Sequence, residues 1–110
     1  MPKSPVPAAR ELTPQEAQQW LHSDPQVQLV DVRSNEEFKE ARIANAKLVP
    51  LQTLDVRLQD IDKKRPVLLY CAAGGRSARA LEFLESHGYA AKHVLGGISG
   101  WAGAGLPYER

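Results

Sequence analysis

Cysteine is almost absent from this chain of 110 residues, which contains one, Cys71. A single cysteine can form neither an internal disulfide nor a cysteine-rich metal site, and a free thiol fits a reducing compartment. An excess of charge of one sign is also missing, because 14 basic and 13 acidic residues are interspersed along the chain. This balance gives no support for a nucleic-acid or a membrane surface, and no apolar run approaches membrane-spanning length.

The length and the 43% apolar content fit one soluble domain with one core. Residues 1–10 contain three prolines and no apolar segment of the kind that a secretory signal carries. We therefore expect a flexible tail over residues 1–10, one domain over residues 11–110 and a cytoplasmic monomer. We expect no metal and no cofactor.

The stretch around the cysteine carries the strongest signal. A short apolar run, Val67 to Tyr70, predicts a buried strand, and Cys71 follows it directly. Four small residues, 72–75, come next, and then apolar residues at helical spacing: Ala80, Leu81 and Leu84. The sequence thus places a thiol at the end of a strand and at the mouth of a tight loop that leads into a helix.

This arrangement predicts a reactive thiol. The first N–H groups of a helix have no intrahelical acceptor, and Gly74 and Gly75 are free to take positive φ, so the backbone can direct donors inward. Such donors would stabilise the thiolate of Cys71, and a lowered pKa makes a cysteine a nucleophile. We therefore predict Cys71 as the catalytic residue. The predicted binding loop comprises Ala72, Ala73, Gly74, Gly75, Arg76 and Ser77.

Two arginines, Arg76 and Arg79, fall in the first turn of the predicted helix, where the helix dipole disfavours cations. Their position suggests an anionic partner, although two solvated surface residues would give the same pattern. Asp31 ends another predicted strand. It either fixes loop N–H groups or an arginine near the site, or it is a plain strand-end cap.

Several motifs resemble one known family. The segment Cys71-Ala-Ala-Gly-Gly-Arg-Ser77 resembles the active-site loop of the rhodanese (sulfurtransferase) family. The run Asp31 to Phe38 resembles its first signature, and residues 96–107, with Trp101, resemble its closing one. The resemblance extends from about Leu12 to Pro107. It implies a three-layer α/β fold, with a mostly parallel sheet of about five strands and helices on both faces.

One segment departs from the family pattern. Residues 41–46 occupy the place of Gly-His-Ile-Pro-Gly-Ala and differ from it at four of six positions. Arg42 stands in place of the histidine, so a role for that histidine is not carried over. Asn45 can still adopt the left-handed conformation that glycine adopts there.

Local signals predict the remaining elements. Thr13 and Ser34 each precede a glutamate by three residues, which is typical of a helix capping box. Strands are expected over 27–32, 47–49 and 92–95, an edge strand at 11–12, and a helix over 51–61. The histidines at positions 22, 87 and 93 carry no supporting pattern, and we interpret them as surface or helix-end residues rather than bases.

Three functions are compatible with these residues. The first is a sulfurtransferase that moves sulfane sulfur from thiosulfate or a similar donor to cyanide or a thiol through a Cys71 persulfide, with no general base. The second is a phosphatase or arsenate reductase, but those sites need five residues between cysteine and arginine, and this chain has four. The third is a persulfide carrier or regulatory module that serves a protein partner.

Overall fold

A computed structural model describes residues 9–110, and residues 1–8, most of the predicted tail, lie outside the described part. Five strands form one parallel sheet in the order β1-β5-β4-β2-β3. The strands are β1 Glu11–Leu12, β2 Gln28–Asp31, β3 Lys47–Leu48, β4 Val67–Tyr70 and β5 Ala91–Val94. The α-helices are α1 Pro14–Ser23, α2 Asn35–Glu40, α3 Gly75–Ser86 and α4 Gly97–Gly103. This architecture confirms the predicted α/β fold.

The central strand β4 separates two hydrophobic clusters, one on each face of the sheet. Successive side chains of a strand point to opposite faces. Leu69 therefore packs with Leu84 of α3 on one face, whereas Tyr70 packs with Trp20 of α1 and Trp101 of α4 on the other. Within residues 9–110 we find no helix with the length and apolar character to span a membrane.

The predicted caps and turns are confirmed where the signal is local. The hydroxyls of Thr13 and Ser34 accept hydrogen bonds from the N–H groups of Glu16 and Glu37, and both glutamate carboxylates accept a hydrogen bond from the cap N–H. Asn45 has a φ of 70°. Each of these features depends on residues only a few positions apart, which is why sequence patterns can predict them.

The predicted helix over residues 51–61 is wrong. The segment forms two short 3₁₀ helices, Leu51–Thr53 and Leu58–Asp60, with a turn between them. The Thr53 hydroxyl bonds to the Pro50 carbonyl, and the Asp55 side chain accepts the next N–H group, so side chains compete with helical bonding. Two tight turns bury Leu54 and Ile61 as well as a helix would.

Helix α4 was not predicted, and it positions the loop after β4. Gly97 has a φ of 60°, and a Cβ there would lie 2.3 Å from the carbonyl oxygen of Cys71. This close approach lets the N–H groups of Ile98 and Ser99 donate to the carbonyls of Cys71 and Ala72, at 2.8 and 3.1 Å. The glycine-rich signature therefore anchors the cysteine loop.

We expect Gly97→Ala to destabilise the protein by roughly 1–3 kcal/mol or more, because the residue would combine a strained φ with a backbone clash. Chemical denaturation measures the change. Gly103→Ala is the matched control in the same helix, where an added Cβ meets nothing within 4 Å. We expect the control to be neutral or slightly stabilising. Equal stability of the two variants would contradict this account of α4.

Candidate active site

Cys71 lies at the carboxyl end of the central strand, the edge at which open parallel sheets bind ligands. The loop turns at Gly74, which has a φ of 117°, and α3 begins at Gly75. Of the two glycines that the sequence left free to take positive φ, only Gly74 does so. The strand, the turn and the helix follow one another as predicted.

The sulfur of Cys71 is buried among hydrogen-bond donors. Its side chain is 1% exposed, the Gly74 N–H donates to Sγ at 3.0 Å, and the Ser77 Oγ lies 3.5 Å from it. Burial raises the pKa of the Cys71 thiol. The Ser77 hydroxyl and the backbone N–H groups of Ser77, Gly74 and Ala73 outweigh burial, so the pKa lies below its ordinary value. The site therefore favours a thiolate.

Arg76 has an anionic partner within the chain. Its guanidinium forms two hydrogen bonds with the carboxylate of Glu37 on α2, at 2.7 and 2.8 Å. The hydrogen bond from Arg76 lowers the pKa of Glu37 to about 2, so the pair is ionised at neutral pH. Arg79 is exposed. The sequence suggested an anion near these arginines, but it gave no sign that α2 supplies one.

Asp31 contacts an arginine rather than the loop of Cys71. Its carboxylate accepts hydrogen bonds from the buried Arg33 side chain, the shortest of which is 2.7 Å. Arg33 also donates to the carbonyl of Ala41 at 2.6 Å, which ties β2 to the segment after α2. Arg42, in the place of the family's histidine, donates to the carbonyl of Phe38.

His93 is a further residue of the site that sequence reasoning missed. It is buried in β5, and its Nδ1 lies 2.8 Å from the Ser77 Oγ that faces the sulfur, so the prediction of a surface or helix-end residue is wrong. The other two histidines are exposed at or near helix ends, as expected. The register pairs His93 with Leu69, two residues before Cys71 and on the same face. Its place on the same face of the strand as the apolar Ala91 was the signal that the sequence offered.

A cleft of about 620 Å³ lies beside the loop at Ala72. Both acidic and basic side chains line it, together with Ile98, Ser99 and Ala102 of α4. The charged lining residues are Arg33, Glu37, Glu40 and Arg110. The cleft reaches the loop at Ala72, the residue that follows the buried Cys71.

Comparison with known proteins defines the family. The family model for the rhodanese-like domain matches residues 13–104. A sulfurtransferase from Allochromatium vinosum is 35% identical over 98 residues, which cover 88% of this chain and 92% of the relative. The thiosulfate sulfurtransferase GlpE of Actinobacillus succinogenes is 34% identical over 103 residues, with 93% and 92% covered.

A solved structure agrees with these matches. The rhodanese-related protein of Thermoplasma volcanium has a TM-score of 0.83 at 28% identity, with 91% of this chain and 97% of that chain covered. The chain therefore belongs to the rhodanese-like domain family, whose members include sulfurtransferases.

Proposed function

We propose that the protein is a thiosulfate sulfurtransferase that works through a persulfide on Cys71. The observation that carries the proposal is the thiol itself, buried at the carboxyl end of β4 and contacted by the Gly74 N–H and the Ser77 hydroxyl. Such a site stabilises one negative charge on sulfur, and both the thiolate and the persulfide anion carry that charge. The similarity to a relative named for thiosulfate supports the choice of donor.

In the first half-reaction the thiolate of Cys71 attacks the outer sulfur of thiosulfate. A sulfur–sulfur bond forms to Cys71, the bond within thiosulfate breaks, and sulfite leaves with the electron pair. The terminal sulfur of the persulfide is left negatively charged. The N–H groups of the loop then hold this charge as they held the thiolate.

Arg76 would attract the dianionic donor to the mouth of the loop. The Arg76 side chain is 38% exposed, and its guanidinium is already paired with Glu37. A donor anion therefore competes with that carboxylate. The planar guanidinium can hold two oxygens of thiosulfate as it holds two oxygens of Glu37. We infer that Glu37 keeps Arg76 oriented and moderates its affinity for anions.

In the second half-reaction a nucleophile attacks the terminal sulfur, and the thiolate of Cys71 leaves. A low pKa makes Cys71 a good leaving group, so one set of hydrogen bonds assists both steps. Cyanide or a small thiol fits the cleft beside Ala72. If the acceptor were the thiol of another protein, the same chemistry would make this protein a persulfide carrier.

A phosphatase or arsenate reductase remains the less favoured function. The gap of four residues between Cys71 and Arg76 draws the loop closely around the sulfur, whereas a tetrahedral oxyanion in line with the thiolate needs a wider ring. The described site also presents Glu37 as an ionised partner of Arg76 and not as a proton donor.

Intact mass spectrometry tests the intermediate. Thiosulfate should add one sulfur atom per chain, cyanide should remove it as thiocyanate, and Cys71→Ser should show neither change. An aryl phosphate should not be hydrolysed. An unmodified wild-type mass under donor excess, with a known persulfide protein detected in parallel, would overturn the proposal.

The rate of sulfur loading tests Arg76. Arg76→Ala should slow loading from thiosulfate roughly tenfold or more, because a hydrogen bond to a charged group contributes about 1.5–3 kcal/mol. Arg79→Ala, three residues further along α3 at an exposed position, is the matched control and should load at nearly the wild-type rate. Glu37→Gln should load faster at low thiosulfate, because it releases Arg76. Equal rates for the two arginine variants, with circular dichroism showing intact folds, would remove Arg76 from the donor site.

A further inference from the structure

Four side chains form a continuous line from the active-site sulfur to the edge of the sheet. The Sγ of Cys71 lies 3.5 Å from the Oγ of Ser77, and that Oγ lies 2.8 Å from the Nδ1 of His93. The Nε2 of His93 lies 3.3 Å from a carboxylate oxygen of Glu11. The first three residues are buried, and Glu11 is half-exposed.

The sheet register produces this line. His93 of β5 is paired with Glu11 of β1 on one side and with Leu69 of β4 on the other. Paired residues of parallel strands point to the same face, and Cys71, two residues after Leu69, continues that face. Helix α3 covers it and places Ser77 between the thiol and the imidazole. The line therefore joins the loop after β4 and helix α3 to strands β5 and β1.

Ser77 has one hydroxyl hydrogen and three acceptors within reach. They are the thiolate of Cys71, the Nδ1 of His93 and the carbonyl of Gly74, which is 3.2 Å away. The carboxylate of Glu11 favours the tautomer with hydrogen on Nε2, which leaves Nδ1 as an acceptor. In the resting site the hydroxyl of Ser77 therefore donates to His93, its nearest partner, and can accept from the thiol.

We propose that His93 removes the proton of the Cys71 thiol through the hydroxyl of Ser77. The S–H bond of Cys71 breaks as its proton moves to Oγ, and the Oγ proton moves to Nδ1 of His93. The products are a thiolate and an imidazolium, with no change in net charge and no added reactant. The imidazolium then donates to Ser77, whose hydroxyl turns to the thiolate. His93 does not contact the sulfur and acts only through Ser77.

The charges around His93 suit this role. Burial lowers the pKa of His93, the carboxylate of Glu11 raises it, and Arg10 lowers it, with burial the largest effect. Burial therefore keeps the imidazole neutral at neutral pH and weakens it as a base, so the imidazolium forms only as a pair with the thiolate of Cys71. Arg10 is held by Glu85 of α3 through hydrogen bonds of 2.6 and 3.0 Å, which moderates its effect. The new imidazolium lies between the Glu11 carboxylate and the thiolate.

The rate at which iodoacetamide alkylates Cys71, measured as a function of pH, tests this proton transfer and needs no sulfur donor. Ser77→Ala and His93→Asn should each raise the midpoint of the rate-against-pH curve by about one pH unit and slow alkylation near pH 7 about tenfold. His93→Asn keeps a polar group beside Ser77 but accepts no proton. The double variant should be no slower than Ser77→Ala, because His93 acts only through that hydroxyl. His87→Asn, an exposed histidine at the end of α3, should behave as wild type.

A wild-type profile in His93→Asn, or additive losses in the double variant, would overturn the proposal. Nitrogen NMR of the His93 ring gives a second test that uses only wild type and Cys71→Ser. His93 should titrate at lower pH in Cys71→Ser, because the thiolate that favours the imidazolium is gone. Identical titrations would overturn the proposal even if the other variants misfold.

The inference rests on the proposed function only for the use of the thiolate in sulfur transfer. Alkylation and NMR report only the proton transfer from Cys71 to His93, whereas sulfur loading reports the transfer of sulfur to Cys71. If the protein took up no sulfur but Cys71 alkylation still depended on Ser77 and His93 as expected, only the proposed function would be wrong. If the protein took up sulfur but His93 and Cys71 did not affect each other's ionisation, only this inference would be wrong.

Discussion

The active-site region depends on the hydrogen bonds that surround the buried sulfur of Cys71. Burial of Cys71 disfavours the thiolate, and the hydroxyl of Ser77 together with the N–H groups of Ser77, Gly74 and Ala73 more than offsets that cost. These donors exist only because a parallel strand ends at the sulfur and a helix begins four residues later. In the proposed reaction the same donors would serve the attacking thiolate, the persulfide and the departing thiolate.

Neighbouring elements keep this loop in place. Helix α4 approaches closely enough, at Gly97, for its first N–H groups to bond to the carbonyls of the loop. Helix α2 reaches the other side through Glu37 and its paired hydrogen bonds with Arg76. The role of both helices is to fix the backbone so that the donors point at the sulfur before a reactant arrives, which lowers the cost of reorganisation.

Local sequence signals could predict most of the fold but only part of the site. A few neighbouring residues determine each of three features: the capping box at Thr13, the strand before Cys71 and the turn at Gly74. The spacing over 51–61 predicted a helix because two short turns bury the same side chains. The Arg76–Glu37 pair and the contact between Ser77 and His93 join residues 39 and 16 positions apart. Those contacts depend on helix placement and strand register, which no local pattern encodes.

The most direct test is a titration of the Cys71 thiolate by its ultraviolet absorbance, with Cys71→Ser subtracted to remove the tyrosine signal. A thiol stabilised as described ionises at lower pH than free cysteine, whose pKa is about 8.5. The difference spectrum should then appear well below that pH, and the native fold should persist throughout. A midpoint at or above the free value would contradict the account, because burial would then outweigh the hydrogen bonds of the loop.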